Sequence, residues 1–368
     1  MFCHSLVSDW NHGNAHFLRG VVAELQSRGH GTTVLEPADG WSRTNLMADY
    51  GPEAISRFHR VFPTLRSTTY TLGDLDLDRV LDGADLVLVH EWNDRSLVEA
   101  VGRHHAVVGG YRLFFHDTHH RSVTAPHEMG AYDLRHYDGV LAFGAVVRQR
   151  YLDMGWAERA WTWHEAADVR VFSPLQAEQE GDLVWIGNWG DEERTAELEE
   201  FLIAPAESLK LRTRVYGVRY PESAKQRLQH AGIGFGGWVP NDLVPAVFAR
   251  HRVTVHVPRR PYAASLPGIP TIRVFEALAC GIPLVSAPWQ DAEGLFQGDE
   301  FLMARDGSEM RRHLEDLIAD PAAAGALAER GRATVLARHT CAHRVDELLA
   351  ILSSLDAGSP QSLAGDRR

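Results

Sequence analysis

Residues 266–288, LPGIPTIRVFEALACGIPLVSAP, place one carboxylate inside a turn, a short helix and a strand. The prolines and glycine predict a turn, Thr271 can begin a helix that Gly281 ends, and the apolar LVSA predicts an interior strand. Free N–H groups at the start of such a helix, together with the positive end of its dipole, could bind a diphosphate. Glu276 would then lie where its carboxylate accepts hydrogen bonds from a ribose diol. The alternative is an ordinary helix-to-strand connection with a solvated or capped glutamate.

A second stretch, residues 111–122, ends the apolar run YRLFF in HDTHHRS. His116 and Asp117 would end a strand that points into a cleft, where an imidazole beside a carboxylate could remove a proton from a hydroxyl group. Alternatively, the histidine only hydrogen-bonds a ligand or caps the strand. Together with His119 and His120 the pair also suggests metal ligands, but neighbours in an extended chain point in opposite directions and no second ligand group is evident. We therefore expect no metal site.

Three loops follow other predicted strands and should reach the same kind of edge, since open α/β sheets bind ligands at the carboxyl ends of their strands. The loop SDWNHGNA supplies His12 and Gly13, and the apolar run ADLVLVH is followed by Glu91. DLVWIGN ends in Gly187 and Asn188, where small residues permit close approach of the backbone. Ordinary tight turns, capping and core packing are the alternatives for these positions.

Strands and amphipathic helices alternate along the whole chain, which predicts an α/β protein with mostly parallel sheets. The opening FCHSLV, a polar loop and the helix HFLRGVVAELQSRGH form the first such unit. The alternation pauses at a polar segment and then begins again, so we predict two units. The predicted boundaries are a first domain over 1–167, a linker over 168–182, a second domain over 183–338, a C-terminal helix over 339–356 and a disordered tail over 357–368.

Length and composition limit the class of protein. A chain of 368 residues suits two domains, and 45% hydrophobic with 23% charged residues is typical of a soluble globular protein. The net charge of −12 disfavours nucleic acid and anionic membranes as partners. We find no signal peptide, no run of transmembrane length and only 3 widely spaced cysteines, which predicts a cytoplasmic protein without disulfides.

The segments GDLVWIGNWGDEERTAELEEFL, VYGVRYP and above all RVFEALACGIPLVSAP resemble the CgeB-like spore-maturation glycosyltransferases. That family is a branch of the GT-B nucleotide-sugar enzymes. The resemblance implies two Rossmann-like domains that face each other across a cleft, with acceptor binding in the first domain and donor binding in the second. It also implies metal-independent transfer without a resident cofactor, with a UDP or GDP sugar as co-substrate.

The resemblance also suggests roles for individual residues. The large retaining family of this fold carries two glutamates separated by seven residues; the second matches Glu276, whereas the first falls on Gly268. Backbone N–H groups of the PGIPT turn or other residues would then have to bind the donor sugar, and a retaining outcome is only slightly favoured. The donor-binding residues expected in addition are Arg219 and Arg273 for phosphate, Trp238 for the base, Gly187 and Asn188 beside the nucleotide, and Ile269 and Thr271 in the turn. His12, Gly13 and Glu91 are expected to contact the acceptor or the sugar.

The sequence therefore predicts an enzyme that transfers a hexose or related sugar from a nucleoside diphosphate sugar to a hydroxyl group of a small molecule, glycan or polymer. Two alternatives stay open. A non-catalytic nucleotide-sugar-binding or assembly protein is suggested by glycine at the first acidic position. A sugar-nucleotide 2-epimerase would share the architecture, but it explains the His–Asp pair less well. The donor sugar, the base, the acceptor and the oligomeric state are not determined by the sequence.

Overall fold

A computed structural model describes residues 1–357 of the chain. The predicted disordered tail, residues 357–368, lies outside the described residues except for Ala357, which ends the last helix. Within residues 1–357 no helix combines the length and the apolar character needed to cross a lipid bilayer.

The first half of the chain builds a parallel sheet on buried, apolar strands. Strands β3, β4, β5 and β6 are hydrogen-bonded in that order, and β1 pairs with β2 beside them. The bounds are β1 (Leu35–Pro37), β2 (Thr68–Tyr70), β3 (Leu86–His90), β4 (Arg112–Asp117), β5 (Gly139–Ala142) and β6 (Ala160–Thr162). We call residues 1–167, which hold these strands, the first unit.

The predicted opening strand FCHSLV is reduced to a single bridging residue. Phe2 forms isolated parallel bridges to Leu35 and Val89, and so joins β1 to β3. The next residues leave the sheet because the carboxylate of Glu36 accepts hydrogen bonds from the Ser5 hydroxyl and from the Leu6 N–H, so a side chain takes the place of a ladder partner.

Eight helices surround this sheet in the described part of the chain. They are α1 (Ala15–Ser27), α2 (Trp41–Tyr50), α3 (Pro52–Val61), α4 (Leu77–Leu81), α5 (Arg95–Val108), α6 (Arg121–Thr124), α7 (Pro126–Met129) and α8 (Ala145–Asp153). Helix α1 begins directly after the loop of residues 8–14 and buries Phe17, Val21 and Val22, which the helical period predicts, and also Leu18.

The second half of the chain builds a six-stranded sheet in the order β12-β11-β10-β7-β8-β9, and all its described pairs are parallel. The bounds are β7 (Gly181–Ile186), β8 (Thr213–Tyr216), β9 (Gly234–Phe235), β10 (His251–His256), β11 (Leu284–Ser286) and β12 (Leu302–Met303). The chain runs outward from β7 to β9 and then returns to β10 on the other side of β7. This reversal creates a crevice at the carboxyl ends of β7 and β10, where α/β sheets bind ligands.

The helices around the second sheet include α14, which carries Glu276. They are α9 (Thr195–Leu198), α10 (Ala204–Ser208), α11 (Glu222–His230), α12 (Val244–Ala249), α13 (Arg260–Ser265), α14 (Ile272–Cys280), α15 (Gly307–Ala319) and α16 (Pro321–Arg338), and a π-helical turn (Glu199–Ile203) joins α9 to α10. We call residues 168–340 the second unit.

The last helix, α17 (Cys341–Ala357), returns to the first unit. Val345 and Leu348 are fully buried in one apolar cluster with Phe17 and Leu18 of α1. The chain passes from the first unit to the second after residue 167 and returns after residue 340. These two chain crossings lie side by side, because residues 167 and 340 form a parallel bridge. The predicted domain boundaries stay a prediction. The C-terminal helix α17 completes an apolar core that the N-terminal helix α1 begins.

Candidate active site

A cavity of about 620 Å³ lies between the carboxyl ends of the two sheets, and both units line it. That size falls in the range of small-molecule and cofactor sites. Of the residues expected from the sequence, the cavity is lined by His12, Gly13, Gly187, Asn188, Arg219, Trp238, Thr271 and Arg273. The others, His116, Asp117, Glu91, Glu276, Gly268 and Ile269, lie behind its wall.

His116 and Asp117 belong to strand β4 itself and are buried below the cavity. The imidazole of His116 packs against the rings of Phe17 and Trp163, and burial lowers the pKa of His116 to about 3. Asp117 accepts a hydrogen bond from the Tyr151 hydroxyl at 2.8 Å. His116 and Asp117 end the strand as predicted, but the pair does not face the cavity, whose lining on this side begins with Thr118.

Glu91 is also buried, but it supports the wall. Its carboxylate accepts hydrogen bonds from the Thr118 N–H at 3.0 Å and from Arg121 at 2.9 Å. Burial, with the nearby Asp117, raises the pKa of Glu91, whereas the ion pair with Arg121 opposes that shift. Glu91 thus fixes two residues at the edge of the cavity rather than contacting its contents.

Glu276 is fully buried and is held by one residue from each unit. Its Oε1 lies 2.5 Å from Nδ1 of His16, and the same carboxylate pairs with Arg273. The N–H of Asp168 donates to Nε2 of His16, so Nδ1 carries the ring hydrogen and donates it to Glu276. The cavity is therefore reached by Arg273 and not by the carboxylate, and a direct ribose contact of Glu276 stays a prediction that this geometry does not support.

The PGIPT turn anchors the second unit to the first. Leu266 and Ile269 are buried in the apolar core of the first unit, not in the cavity. Gly268 has φ +91°, and a Cβ there would come within 2.6 Å of the Glu293 side chain. Glu293 in turn accepts from the N–H of Ala145 at 2.8 Å, at the start of α8. Glycine at this position is thus explained by close packing between the units.

Arg219 and Trp238 line the cavity, although each is already engaged. Arg219 lies 3.2 Å from Asp191 and stands over the ring of Trp41 at 5.7 Å. The indole N–H of Trp238 donates to Asp9 of the first unit at 3.0 Å, and its ring contacts that of Tyr50. Trp238 therefore connects the two units at the rim of the cavity.

Arg194, which sequence reasoning missed, is the cavity cation with the deepest burial. It donates to the carbonyl oxygens of Val257 at 3.1 Å and Trp189 at 3.3 Å, and also to that of Asn188, so it lies between the ends of β7 and β10. Burial, followed by repulsion from Arg259, lowers the pKa of Arg194 to about 10, so it stays charged at neutral pH. In the sequence, only its position directly after the loop GNWGDEE could have indicated that Arg194 lines the cavity.

The cavity also contains a buried acid that the sequence did not indicate. Glu165 follows β6 and is 7% exposed in the wall between the two units. Burial raises the pKa of Glu165 to about 8, and the negative charge of Glu276 adds to the shift. Its carboxyl group is therefore mostly protonated at neutral pH and can donate a hydrogen bond as well as accept one.

On the side of the first unit, the wall is formed by the loop that follows β4. The rings of His119 and His120 are in contact, with centroids 3.9 Å apart and an angle of 36° between their planes, and both line the cavity. Burial lowers the pKa of His120 to about 4 and that of His119 well below its ordinary value, so both imidazoles are neutral at pH 7. Among residues 1–357 no group of three or more histidine, cysteine, aspartate or glutamate side chains is arranged to hold a metal ion.

Residues 194–350 match the family profile described as "Glycosyl transferase-like". Solved structures match nearly the whole chain. A sucrose-phosphate synthase from Thermosynechococcus elongatus has a TM-score of 0.63 at 14% identity, covering 94% of each chain. Anabaena Alr3699/HepE in complex with UDP and glucose has a TM-score of 0.64 at 15% identity, covering 92% of this chain and 95% of that one. The chain has the GT-B fold.

A third GT-B structure is T4 phage BGT in complex with its UDP-glucose substrate, with a TM-score of 0.57 at 11% identity and coverage of 93% and 94%. No curated protein sequence matches the chain. The prediction of a GT-B fold is therefore confirmed, and a glycosyl transferase-like region is present. The narrower CgeB-like resemblance stays a prediction.

Proposed function

We propose that this protein is a GT-B glycosyltransferase that uses a nucleoside diphosphate sugar, UDP-sugar in the first instance, and transfers the sugar to a hydroxyl acceptor without a metal ion. The acceptor oxygen bonds to the anomeric carbon while the bond from that carbon to the diphosphate breaks. The bonding electrons leave with the nucleoside diphosphate, which also takes up the hydroxyl proton.

The observation that carries this proposal is the ion pairing of the four arginines that line the cavity. Arg219, Arg259 and Arg273 pair with Asp191, Glu193 and Glu276, respectively. Arg194 forms no ion pair within residues 1–357; it donates hydrogen bonds to backbone carbonyl oxygens, and its guanidinium stands over the ring of Trp185 at 5.1 Å. A buried, uncompensated guanidinium is costly, and a bound diphosphate would supply the missing negative charge. The same charge would stabilise the leaving group without a metal.

UDP is the nucleotide to test first, because two structural neighbours are complexes with UDP or UDP-glucose. Isothermal titration with UDP, GDP, ADP and dTDP in the presence of EDTA should show binding of at least one of them. Failure of all four to bind would refute the proposal. A nucleotide that binds only after a divalent cation is added would refute metal independence alone.

A retaining outcome, and a hexose as the transferred sugar, are parts of the proposal that rest on the sequence resemblance. A donor screen by mass spectrometry identifies the sugar. The anomeric coupling constant of the product, measured by NMR at early times, then gives the stereochemistry. An inverted product would leave the transferase assignment intact and remove the retaining one.

A further inference from the structure

The side chain of Trp92 is 40% exposed and lines the cavity on the side of the first unit. The guanidinium of Arg121 stands over its ring at 4.1 Å and is itself fixed by Glu91 at 2.9 Å. The indole is thus held in one place although much of it faces the cavity. A rigid, exposed aromatic ring offers contact area with little loss of conformational entropy when a ligand binds.

Neutral hydrogen-bonding groups surround this ring. His4, His12, His119 and His120 line the cavity on the same side as Trp92. Burial lowers the pKa of His4 to about 4 and that of His12 well below its usual value, as it does for the other two. Each neutral imidazole offers one donor and one acceptor.

Two of these imidazoles have a nitrogen atom that is buried without a hydrogen-bond partner. They are Nδ1 of His119 and Nε2 of His120. An unsatisfied buried polar atom costs free energy, and a ligand hydroxyl group can remove that cost because it both donates and accepts. The ring of His119 also meets that of Trp92 edge-on, with centroids 5.0 Å apart, so the free nitrogen and the indole belong to one subsite.

The charges around this subsite disfavour an anionic ligand. Arg121 forms an ion pair with Glu91 at 2.9 Å. Glu193 lies 3.5 Å from Nε2 of His120 and pairs with Arg259. Within the described residues, the histidine wall therefore has a neutral surface with a carboxylate at its border.

We infer that the acceptor is an uncharged carbohydrate, whose ring stacks on Trp92 and whose hydroxyl groups bond to His119 and His120. This inference rests on the proposed transferase function. The C–H groups on a sugar ring carry partial positive charge, which matches the negative face of the indole. The hydroxyl groups can both donate to and accept from the neutral imidazoles. A phosphate or carboxylate group on the acceptor would find no positive charge there to pair with.

Saturation-transfer NMR with a panel of methyl mono- and diglycosides, sugar phosphates and benzylic alcohols tests the inference. We expect a glycoside to bind, with about tenfold weaker binding to Trp92→Ala and little change in Trp92→Phe. Trp41→Ala is the matched control, since Trp41 is 45% exposed in the same cavity but lies beside Arg219 and not beside the histidines. Its glycoside binding should equal that of the unmodified protein.

UDP titrations on the same samples separate the two hypotheses. Binding of UDP without any glycoside binding overturns the carbohydrate inference and leaves the transferase proposal standing. Glycoside binding that depends on Trp92, without binding of any nucleotide, supports the carbohydrate subsite and overturns the transferase proposal. Preferred binding of a sugar phosphate or a benzylic alcohol, or equal glycoside binding by folded Trp92→Ala, also overturns the inference.

Discussion

Arg194 and Glu276 show how burial decides the role of a charged residue. Both lie where the second unit meets the cavity, but Glu276 pairs with His16 and Arg273, whereas Arg194 has no carboxylate partner within residues 1–357. Sequence patterns located Glu276 on the correct helix, because the turn, the capping residue and the terminal glycine are local signals. They could not indicate Arg194, since the contacts that leave its charge unpaired come from two strands far apart in the sequence.

Replacement of Arg194 by methionine should weaken UDP binding by about 10- to 100-fold, the effect of one lost charge-assisted contact to phosphate. Isothermal titration measures the affinity, and thermal unfolding checks that the variant is folded. Arg194→Lys should retain part of the affinity. The control is Arg260→Met, because Arg260 pairs with Glu197 outside the cavity. Equal affinities of the methionine variants would exclude a diphosphate role for Arg194.

The buried acid Glu165 should make stability depend on pH. Its pKa is about 8 in the folded protein, against an ordinary value of 4.5. The folded protein therefore keeps a proton that the unfolded chain releases, and this stabilisation is full below pH 4.5 and is lost as the pH rises through 8. As the pH rises from about 5 to 8, the free energy of unfolding measured in urea should fall less steeply in Glu165→Gln than in the unmodified protein.

The buried histidines provide the internal comparison for that experiment. The pKa values of His4 and His120 are lowered to about 4. Their contribution to the stability of the folded protein is therefore fully present above pH 6.5 and is lost as the pH falls towards 4. Acid destabilisation should thus be the same in both proteins. A Glu165→Gln curve parallel to that of the unmodified protein on the alkaline side would contradict the assignment.

At the scale of the elements, hydrophobic periodicity predicted the buried strands and the long helices well. It failed where a side chain replaced a ladder partner, as Glu36 does for Leu6. It also could not show which helices touch. Helix α17 packs against α1 at Gly20, where a Cβ would come within 2.4 Å of Sγ of Cys341 and 2.8 Å of Cβ of Asp168. Such contacts depend on the three-dimensional path of the chain and leave no local signal.

Gly20→Ala should therefore destabilise the protein by about 1–3 kcal/mol, the usual cost of overpacking. Cys341→Ala should recover part of this loss in the double variant, because it removes the nearest atom. Gly325→Ala in α16 is the control; its Cβ would meet no atom within 4 Å, so a gain of up to about 1 kcal/mol is expected. Urea unfolding of the four variants tests the packing, and a neutral Gly20→Ala would refute it.

For the whole molecule, the rim of the cavity is closed by contacts between the units. Asp9 accepts from the indole N–H of Trp238 at 3.0 Å and from the N–H of Asn241 at 3.1 Å. Beside them, Arg57 of α3 donates to Asp242 at 2.8 Å. These rim contacts add to the two passages of the chain at residues 167 and 340 and to the packing of Leu266 and Ile269 in the core of the first unit, and we expect them to help set the width of the cleft.

Asp242→Ala should open the cleft, because it removes the ion pair between Arg57 of the first unit and Asp242 of the second. Small-angle scattering should give a larger radius of gyration without nucleotide, and saturating UDP should reduce the difference. Arg60→Ala removes an ion pair with Glu53 within the same helix α3 and should leave the radius unchanged. Identical scattering from all three proteins would show that the rim contacts do not set the opening.

The return of α17 to α1 has a consequence for synthesis on the ribosome. Domains usually fold as units in the order in which they emerge. Here the core around Phe17 and Leu18 lacks Val345 and Leu348 until almost the whole described chain has been translated. The second unit can therefore complete its sheet first, and the N-terminal half must wait with part of its apolar surface uncovered. Chaperone contacts during translation should accordingly concentrate on helix α1.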